Sequence, residues 1–252
     1  MRIRYCEDYA RLSAEAGGLV LEEIARRRDA LLCPATGRSP GGLYTELARK
    51  AETDPALFAQ LRIVQLDEWG GVPATDAGSC GHYLRTRLLE PLGIASDRVT
   101  AFDGAAGDAG AECQRVRAEV ERRGPIDVCI LGIGVNGHVG FNEPGPSLAP
   151  HCHVAQLSES TRQHAMVRSM GRVPAFGLTL GLREILASWR IVLLVSGDGK
   201  REAAARLLSG EVSTTLPASF LWLHGNVDCL IDRHVLDVTP RPAAPPPASA
   251  SS

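Results

Sequence analysis

The chain has 252 residues, of which 44% are hydrophobic and 22% are charged, and its formal net charge is -2. This composition is that of a globular protein with a large core, and it gives no reason to expect a nucleic-acid partner or binding to an anionic membrane surface. The N-terminus has no long apolar segment, and no apolar run approaches the ~18 residues that span a bilayer. We therefore expect a cytoplasmic protein.

The seven cysteines predict neither a disulfide framework nor a zinc site. Their number is odd, no pair has C-x-x-C spacing, and several lie in apolar runs. The segment "PHCHV" (150–154) contains two histidines and a cysteine, but they are too close together in the chain for metal ligands. We expect reduced, buried thiols and no bound metal.

Short aliphatic runs alternate with helix-like segments along the chain, a pattern that predicts an α/β fold. The apolar runs lie at 30–35, 62–66, 126–134, 190–196 and 228–232. The helix-like segments lie near 7–27, 41–51, 79–90, 107–123, 179–188, 198–208 and 217–222. The runs do not alternate with polar residues, which indicates a mostly parallel sheet with helices on both faces. We expect one catalytic domain over 1–237 and a disordered tail, rich in Pro, Ala and Ser, over 238–252.

Ligands of such sheets bind beyond the carboxyl ends of the strands. The first predicted strand is followed by Thr36, Gly37 and Ser39 and then by a helix, a turn whose N–H groups and hydroxyls suit a phosphate. The alternative is an ordinary strand-to-helix turn. Lys200, after the strand at 190–196, could pair with the same anion or be a solvated lysine.

Two adjacent carboxylates, Asp67 and Glu68, follow the strand at 62–66. One could act as a general base, and the other could be structural or could position a substrate. Two such residues alone are more often a solvated acidic turn. Arg162 lies in the polar segment "SESTRQH", where it could be a ligand or an exposed helix residue.

The most distinctive stretch is "ILGIGVNGHVGFNEPGP" (130–146), which places Asn136, His138 and Glu143 in a glycine-rich turn after a buried strand. No clean helix follows, and no acidic residue lies ~20 positions further on, so a dinucleotide site is not predicted. A carboxylate that orients an imidazole, while the imidazole moves protons, is a known catalytic arrangement. The pattern therefore favours acid–base chemistry on a small sugar phosphate.

The segments "ATGRSPGGLY", "QLDEWGGV", "LGIGVNGHVGFNEPG", "STRQH", "SGDGK" and "VSTTLPASFLWLHGN" resemble, in order and spacing, the aminosugar-6-phosphate deaminase family. The likeness covers nearly all of residues 1–235. Within the family, "LDEW", "NGHVGFNEPGPSL", "TLGL" and "PASFLWLH" look closest to the galactosamine-6-phosphate deaminase/isomerase branch.

The resemblance implies ring opening, transfer of a proton from C2 to C1, and release of ammonia, without metal or organic cofactor. By position, Asp67 matches the base that moves the C2 proton, with Glu68 as its acidic neighbour in the substrate site. His138 matches the ring-opening acid–base residue, and Glu143 its carboxylate partner. The positions that match phosphate contacts are Thr36, Gly37, Ser39, Arg162 and Lys200.

Asn136 departs from the family pattern, since the better-known glucosamine enzymes have aspartate there. A neutral amide cannot favour the imidazolium as an anion would, so we expect Asn136 to retune ring opening, as a mark of the galactosamine branch. A glucosamine-6-phosphate deaminase is the alternative. More distant alternatives are a 6-phosphogluconolactonase, whose motifs usually read "DER" and "DGHTASLFPG", and a non-catalytic sugar-phosphate sensor. The oligomeric state is left open.

Overall fold

The computed structural model describes residues 1–163, 165–170 and 173–236; the predicted tail at 238–252 lies outside the described residues. The strands, in chain order, are β1 (Arg2–Cys6), β2 (Leu31–Cys33), β3 (Arg62–Val64), β4 (Asp67–Trp69), β5 (Val99–Thr100), β6 (Val128–Gly132), β7 (His153–Gln156), β8 (Phe176–Thr179), β9 (Arg190–Val195) and β10 (Val227–Asp232). Seven of them form one parallel sheet in the order β1-β10-β9-β6-β2-β3-β5. The predicted parallel sheet is confirmed.

Helices cover both faces of this sheet. They are α1 (Tyr9–Arg26), α2 (Gly41–Thr53), α3 (Cys80–Leu84), α4 (Ala109–Arg123), α5 (Glu159–Arg162), α6 (Ala165–Ser169), α7 (Leu182–Leu186) and α8 (Arg201–Leu208). Side chains cap the two longest helices: Asp8 accepts from the Arg11 N–H at 2.7 Å, and Asp108 from the Ala111 N–H at 2.9 Å. Such a cap contributes about 1 kcal/mol because it satisfies an otherwise unpaired helix donor. No helix among the described residues is long and apolar enough to cross a bilayer.

Burial on both faces explains why the strands show no polar alternation. Along β9, Ile191, Leu193 and Val195 pack into one hydrophobic cluster, while Val192 and Leu194 pack into a second. Successive side chains of a strand point to opposite faces, so these clusters are the two layers between sheet and helices.

A second, antiparallel sheet of three strands, in the order β4-β8-β7, was not predicted. Its strands have only three or four residues, too few for a recognisable pattern. In register, Asp67 and His153 both pair with Thr179. The rings of Trp69 and Phe141 pack beside it, with centroids 4.6 Å apart. Its first strand, β4, follows β3 closely in the chain and begins at the predicted site residue Asp67.

Candidate active site

Glycines allow the turn after β6 to fold tightly around an imidazole. The Gly134 N–H donates to the His138 carbonyl at 2.9 Å, and the Gly137 N–H donates to the Gly134 carbonyl at 3.0 Å. Gly137 has φ +90°, which favours glycine. A Cβ on Gly134 would lie 2.4 Å from Cε1 and Nδ1 of His138, so the ring rests directly on the backbone there. The absence of a side chain at Gly134 therefore allows the His138 imidazole to lie against the backbone of this turn.

The Nδ1 atom of His138 is held from two sides. Glu143 Oε2 lies 3.5 Å away and Thr161 Oγ1 lies 3.2 Å away. Burial alone would raise the pKa of Glu143, but hydrogen bonding and the charge of His138, with hydrogen bonds from Thr161 and Asn136, outweigh it and lower the pKa to about 2. Glu143 is therefore ionised near neutral pH. The described residues make no hydrogen bond to Nε2, which leaves that nitrogen for a substrate.

Asn136 braces the carboxylate rather than the imidazole ring. Its side-chain amide donates to Glu143 Oε2 at 2.8 Å and to Ser158 Oγ at 3.1 Å, and its Oδ1 accepts from the His138 backbone N–H at 3.2 Å. An amide does not titrate near neutral pH, so Asn136 can orient the Glu143 carboxylate but cannot exchange protons with a substrate.

Two residues of this set, Ser158 and Thr161, were not predicted. The Ser158 backbone N–H donates to Glu143 Oε1 at 3.3 Å, and its side chain accepts from the Thr161 N–H at 3.3 Å, capping α5. The sequence carries one signal for them, a serine three residues before a threonine in the segment that also contains Arg162. The N-terminus of α5 thus brings the hydroxyl groups of Ser158 and Thr161 next to His138 and Glu143.

The second predicted catalytic carboxyl, Asp67, is buried at the start of β4 and is only 6% exposed. Its Oδ1 has no hydrogen-bond partner among the described residues. Burial is the main cause that raises its pKa to about 7, the charge of Glu68 adds to this, and a hydrogen bond from Cys80 partly offsets it. A carboxyl that titrates near neutral pH suits a general base, since it can both take and return a proton.

Glu68 differs from the expectation that it contacts substrate. It is fully buried, and its two oxygens accept from the backbone N–H groups of Trp69 (2.8 Å), Cys80 (2.9 Å) and Gly81 (2.7 Å), and from Gln65 Nε2 (3.0 Å). With its acceptor capacity so occupied, the side chain ties the start of α3 to β4. The structural alternative for this carboxylate therefore fits the geometry.

Strand β8 joins the Asp67 region to the His138 turn. The Leu180 N–H donates to the Leu66 carbonyl at 2.9 Å, on the chain just before Asp67. On the other side, Asn142 Nδ2 donates to the Leu180 carbonyl at 2.9 Å, and the Phe141 N–H donates to Thr179 Oγ1 at 3.1 Å. The small sheet thus fixes Asp67 and the imidazole turn relative to each other, although they lie about 70 residues apart in sequence.

The predicted phosphate loop follows β2 at the same edge. Gly37 has φ +102°, and Thr36 Oγ1 donates to Cys80 Sγ at 3.5 Å. Ser39 Oγ donates to the Ser196 carbonyl at 3.4 Å. Since Ser196 follows β9 and β6 lies between β9 and β2, the two loops meet across the end of β6.

Lys200 stands at the start of α8, directly after the β9 loop, and no ion pair to it is formed within the described part of the chain. Burial lowers its pKa to about 8. A cation that is partly removed from water and lacks a counter-charge is suited to receive an anion.

Arg162 is not brought to this loop. Its guanidinium pairs with Glu159 one turn earlier on α5, Nη2 to Oε2 2.9 Å, and the side chain is exposed. In this conformation an i,i+3 ion pair on the helix surface occupies the residue that was predicted to hold phosphate.

A cavity of about 440 Å³ lies beside two of the residues that surround the His138 imidazole. Its lining includes Asn136 and Ser158 together with Glu202 and Arg206 of α8, but not Asp67 or His138. Within the described residues, no group of three or more His, Cys, Asp or Glu side chains is arranged to hold a metal ion.

A family model described as glucosamine-6-phosphate isomerases/6-phosphogluconolactonase matches residues 8–229. Over 230 residues the chain is 42% identical to a protein of Escherichia coli (strain K12) named "Putative deaminase AgaI", with 91% of each chain covered. The solved structure of a monomeric glucosamine-6-phosphate deaminase superposes with a TM-score of 0.89 at 40% identity, covering 94% of this chain and 100% of that one. A 6-phosphogluconolactonase from Trypanosoma brucei shares the fold, with a TM-score of 0.69, 21% identity and coverage of 93% and 97%.

These matches extend over nearly the whole described fold, and identity to the two deaminases is about twice that to the lactonase. The lactonase likeness shows the shared fold, whereas the deaminase likeness extends to the sequence. The chain belongs to the glucosamine-6-phosphate isomerase/6-phosphogluconolactonase family and is an enzyme of its aminosugar-6-phosphate deaminase branch.

Proposed function

We propose that the protein converts galactosamine 6-phosphate and water into tagatose 6-phosphate and ammonia. One observation carries the proposal: a buried carboxyl with a pKa of about 7, Asp67, is fixed through one small sheet to an imidazole, His138, whose Nδ1 faces the ionised Glu143. This is the pair of groups that ring opening followed by a proton shift on carbon requires.

His138 is proposed to open the pyranose ring. A proton must reach the ring oxygen and another must leave the C1 hydroxyl as the bond between C1 and the ring oxygen breaks. Glu143 and Thr161 hold Nδ1, so Nε2 can take one proton and deliver the other. The product of this step is the open-chain aldehyde.

Asp67 is proposed to move the proton from C2 to C1. Removing the C2 proton while O1 gains one gives an enolamine, with a double bond between C1 and C2. Returning the proton to C1 leaves an iminium at C2, to which water adds, and ammonia departs to leave the ketone. A general base contributes typically ~10²–10⁴-fold to such a step.

The 6-phosphate is assigned to the loop of Thr36, Gly37 and Ser39 together with Lys200. Support comes from the meeting of the β2 and β9 loops through Ser39 and Ser196, and from the burial of Lys200 without a counter-charge among the described residues. Arg162 would join this site only after leaving Glu159, which is a change of side-chain direction on α5.

The galacto substrate is favoured by the motifs "LDEW", "NGHVGFNEPGPSL", "TLGL" and "PASFLWLH". Glucosamine 6-phosphate, which would give fructose 6-phosphate, is the alternative, since the two substrates differ only in the direction of one hydroxyl. The test is ammonia release from purified protein with each aminosugar phosphate in parallel, without added metal. A preference for the gluco substrate would keep the chemistry and overturn the galacto assignment.

Two other functions are separated by the same assay. A 6-phosphogluconolactonase would release no ammonia and would hydrolyse the lactone, although "DEW" and "NGHVGFNEPG" depart from the motifs of that class. A sugar-phosphate sensor would bind the aminosugar phosphate without turnover. The presence of both an acid–base imidazole and a neutral-range carboxyl favours catalysis over binding alone.

A further inference from the structure

Two tyrosine hydroxyls hold the loop after β2 from different helices. From α1, Tyr9 donates to the Arg38 carbonyl at 2.8 Å, with the Ser39 carbonyl at 3.2 Å, and its oxygen accepts from the Gly42 N–H at 2.7 Å. From α3, Tyr83 donates to the Gly37 carbonyl at 2.5 Å. A Cβ placed on Gly41 would lie 3.6 Å from the Tyr83 hydroxyl and 3.7 Å from that of Tyr9, so both hydroxyls reach the same short turn.

The direction of these bonds determines where the N–H groups of the loop point. In a planar trans peptide the C=O of one residue and the N–H of the next lie on opposite sides. With the Gly37 and Arg38 carbonyls turned toward the tyrosines, the N–H groups of Arg38 and Ser39 must point away from them. Within the described part of the chain, neither of these two N–H groups donates a hydrogen bond.

Consecutive N–H groups that point the same way from a turn form a concave site for an anion. Gly37, with φ +102°, allows this turn. Burial raises the pKa of Tyr83 to about 12. Its hydroxyl therefore keeps its proton at ordinary pH and can donate to the loop.

We propose that Tyr9 and Tyr83 are positioning residues that aim the Arg38 and Ser39 N–H groups at the phosphate of the substrate. The inference rests on the proposed function only in taking the loop as the phosphate contact. It assigns the two hydroxyls no contact with the substrate itself.

The test compares Tyr9→Phe, Tyr83→Phe and the double variant, each of which removes only a hydroxyl. The measurements are the Kd for inorganic phosphate by calorimetry, and KM and kcat for the aminosugar phosphate. We expect the double variant to weaken phosphate binding about tenfold and to raise KM by a similar factor, with a much smaller change in kcat. A purely structural role would lower the amount of folded enzyme without this split between KM and kcat.

The chain offers two matched controls. Tyr5 is 49% exposed on β1, so Tyr5→Phe should leave Kd and KM unchanged. Tyr44 is buried and donates to the Ala35 carbonyl at 2.6 Å, so Tyr44→Phe removes a similar bond from the peptide before the Arg38 and Ser39 N–H groups. If Tyr44→Phe weakens phosphate binding as much as the double variant does, the positioning role is wrong.

The remaining outcomes separate the two proposals. Ammonia release by the wild type, with an unchanged Kd and KM in the double variant, would overturn the tyrosine positioning and leave the proposed function standing. Phosphate binding without ammonia release, weakened in the double variant but not in the controls, would support the positioning and overturn the proposed function.

Discussion

The side-chain amide of Asn136 donates to Oε2 of Glu143 at 2.8 Å, the same oxygen that lies 3.5 Å from His138 Nδ1. One carboxylate oxygen is therefore shared between a neutral donor and the imidazole. The amide helps to keep the pKa of Glu143 low, after the larger influence of His138, and it does so without adding a charge to the site. The charge that His138 faces is thus set by Glu143.

Asn136→Asp should change the pH dependence of ring opening. The substitution removes a donor from Glu143 and brings a second carboxylate beside it, and an added anion favours the imidazolium of His138. We expect the kcat/KM profile to move to higher pH. Asn226→Asp is the control, because Asn226 lies just before β10, at the amino-terminal end of the parallel strands, whereas His138 follows the carboxyl end of β6. An unchanged profile would show that Asn136 does not tune the site.

Asp67→Asn should abolish most turnover. The asparagine amide cannot take a proton from C2 of the substrate. Loss of the base should therefore lower kcat by ~10²–10⁴-fold while substrate still binds. The measurement is ammonia release together with the exchange of the C2 proton for deuterium from the solvent. Near-normal turnover or retained exchange would exclude Asp67 as the base.

The same Asp67→Asn substitution should stabilise the protein. The pKa of Asp67 is 3.8 without the protein environment and about 7 in the fold, mainly because of burial. Between these values the unfolded chain has released a proton that the folded chain keeps, so wild-type stability falls as pH rises through this window. The gain in free energy of unfolding should be near zero below the window and reach up to ~4 kcal/mol above it. Urea unfolding of both proteins across this range measures it, and a gain that is independent of pH would contradict the assignment.

How far the sequence predicts the fold depends on the length of each element. Both-face burial makes β6 and β9 continuous apolar runs that can be identified without a structure. The short strands β7 and β8 carry no such signal, because they form by pairing, β8 with β4 and β7 with β8, rather than by local propensity. The sequence does not predict β1, because "RIRYC" is largely polar, although its backbone completes the sheet beside β10.

The site divides in the same way. The contact between His138 and Glu143 could be predicted because the two residues lie five positions apart in one glycine-rich turn. The backbone partners of Glu68 could not be predicted, since only the fold brings the N–H groups of Cys80 and Gly81 onto its oxygens. Thr161 escaped prediction because its contact with His138 spans 23 positions.

Thr161→Val should reduce activity through the orientation of the imidazole. Valine keeps the shape of threonine but removes the hydroxyl that lies 3.2 Å from His138 Nδ1. The net value of one such hydrogen bond predicts a loss of about tenfold in kcat/KM. Thr161→Ser keeps a hydroxyl and is the matched control, which should retain most activity. Equal loss in both variants would indicate that the methyl group and not the hydroxyl matters.

Lys200→Met should abolish a pH step in anion binding. Burial lowers the pKa of Lys200 to about 8, and a bound anion should favour its charged form, so wild-type affinity should fall as pH rises through 8. Sulfate is the suitable probe because, unlike phosphate, it does not change charge in this range. Lys50, the other lysine of the chain, pairs with Asp54 on α2 at 3.3 Å, so Lys50→Met is the control and should keep the step. Calorimetry on either side of pH 8 measures the effect, and a step that persists in Lys200→Met would assign it to another group.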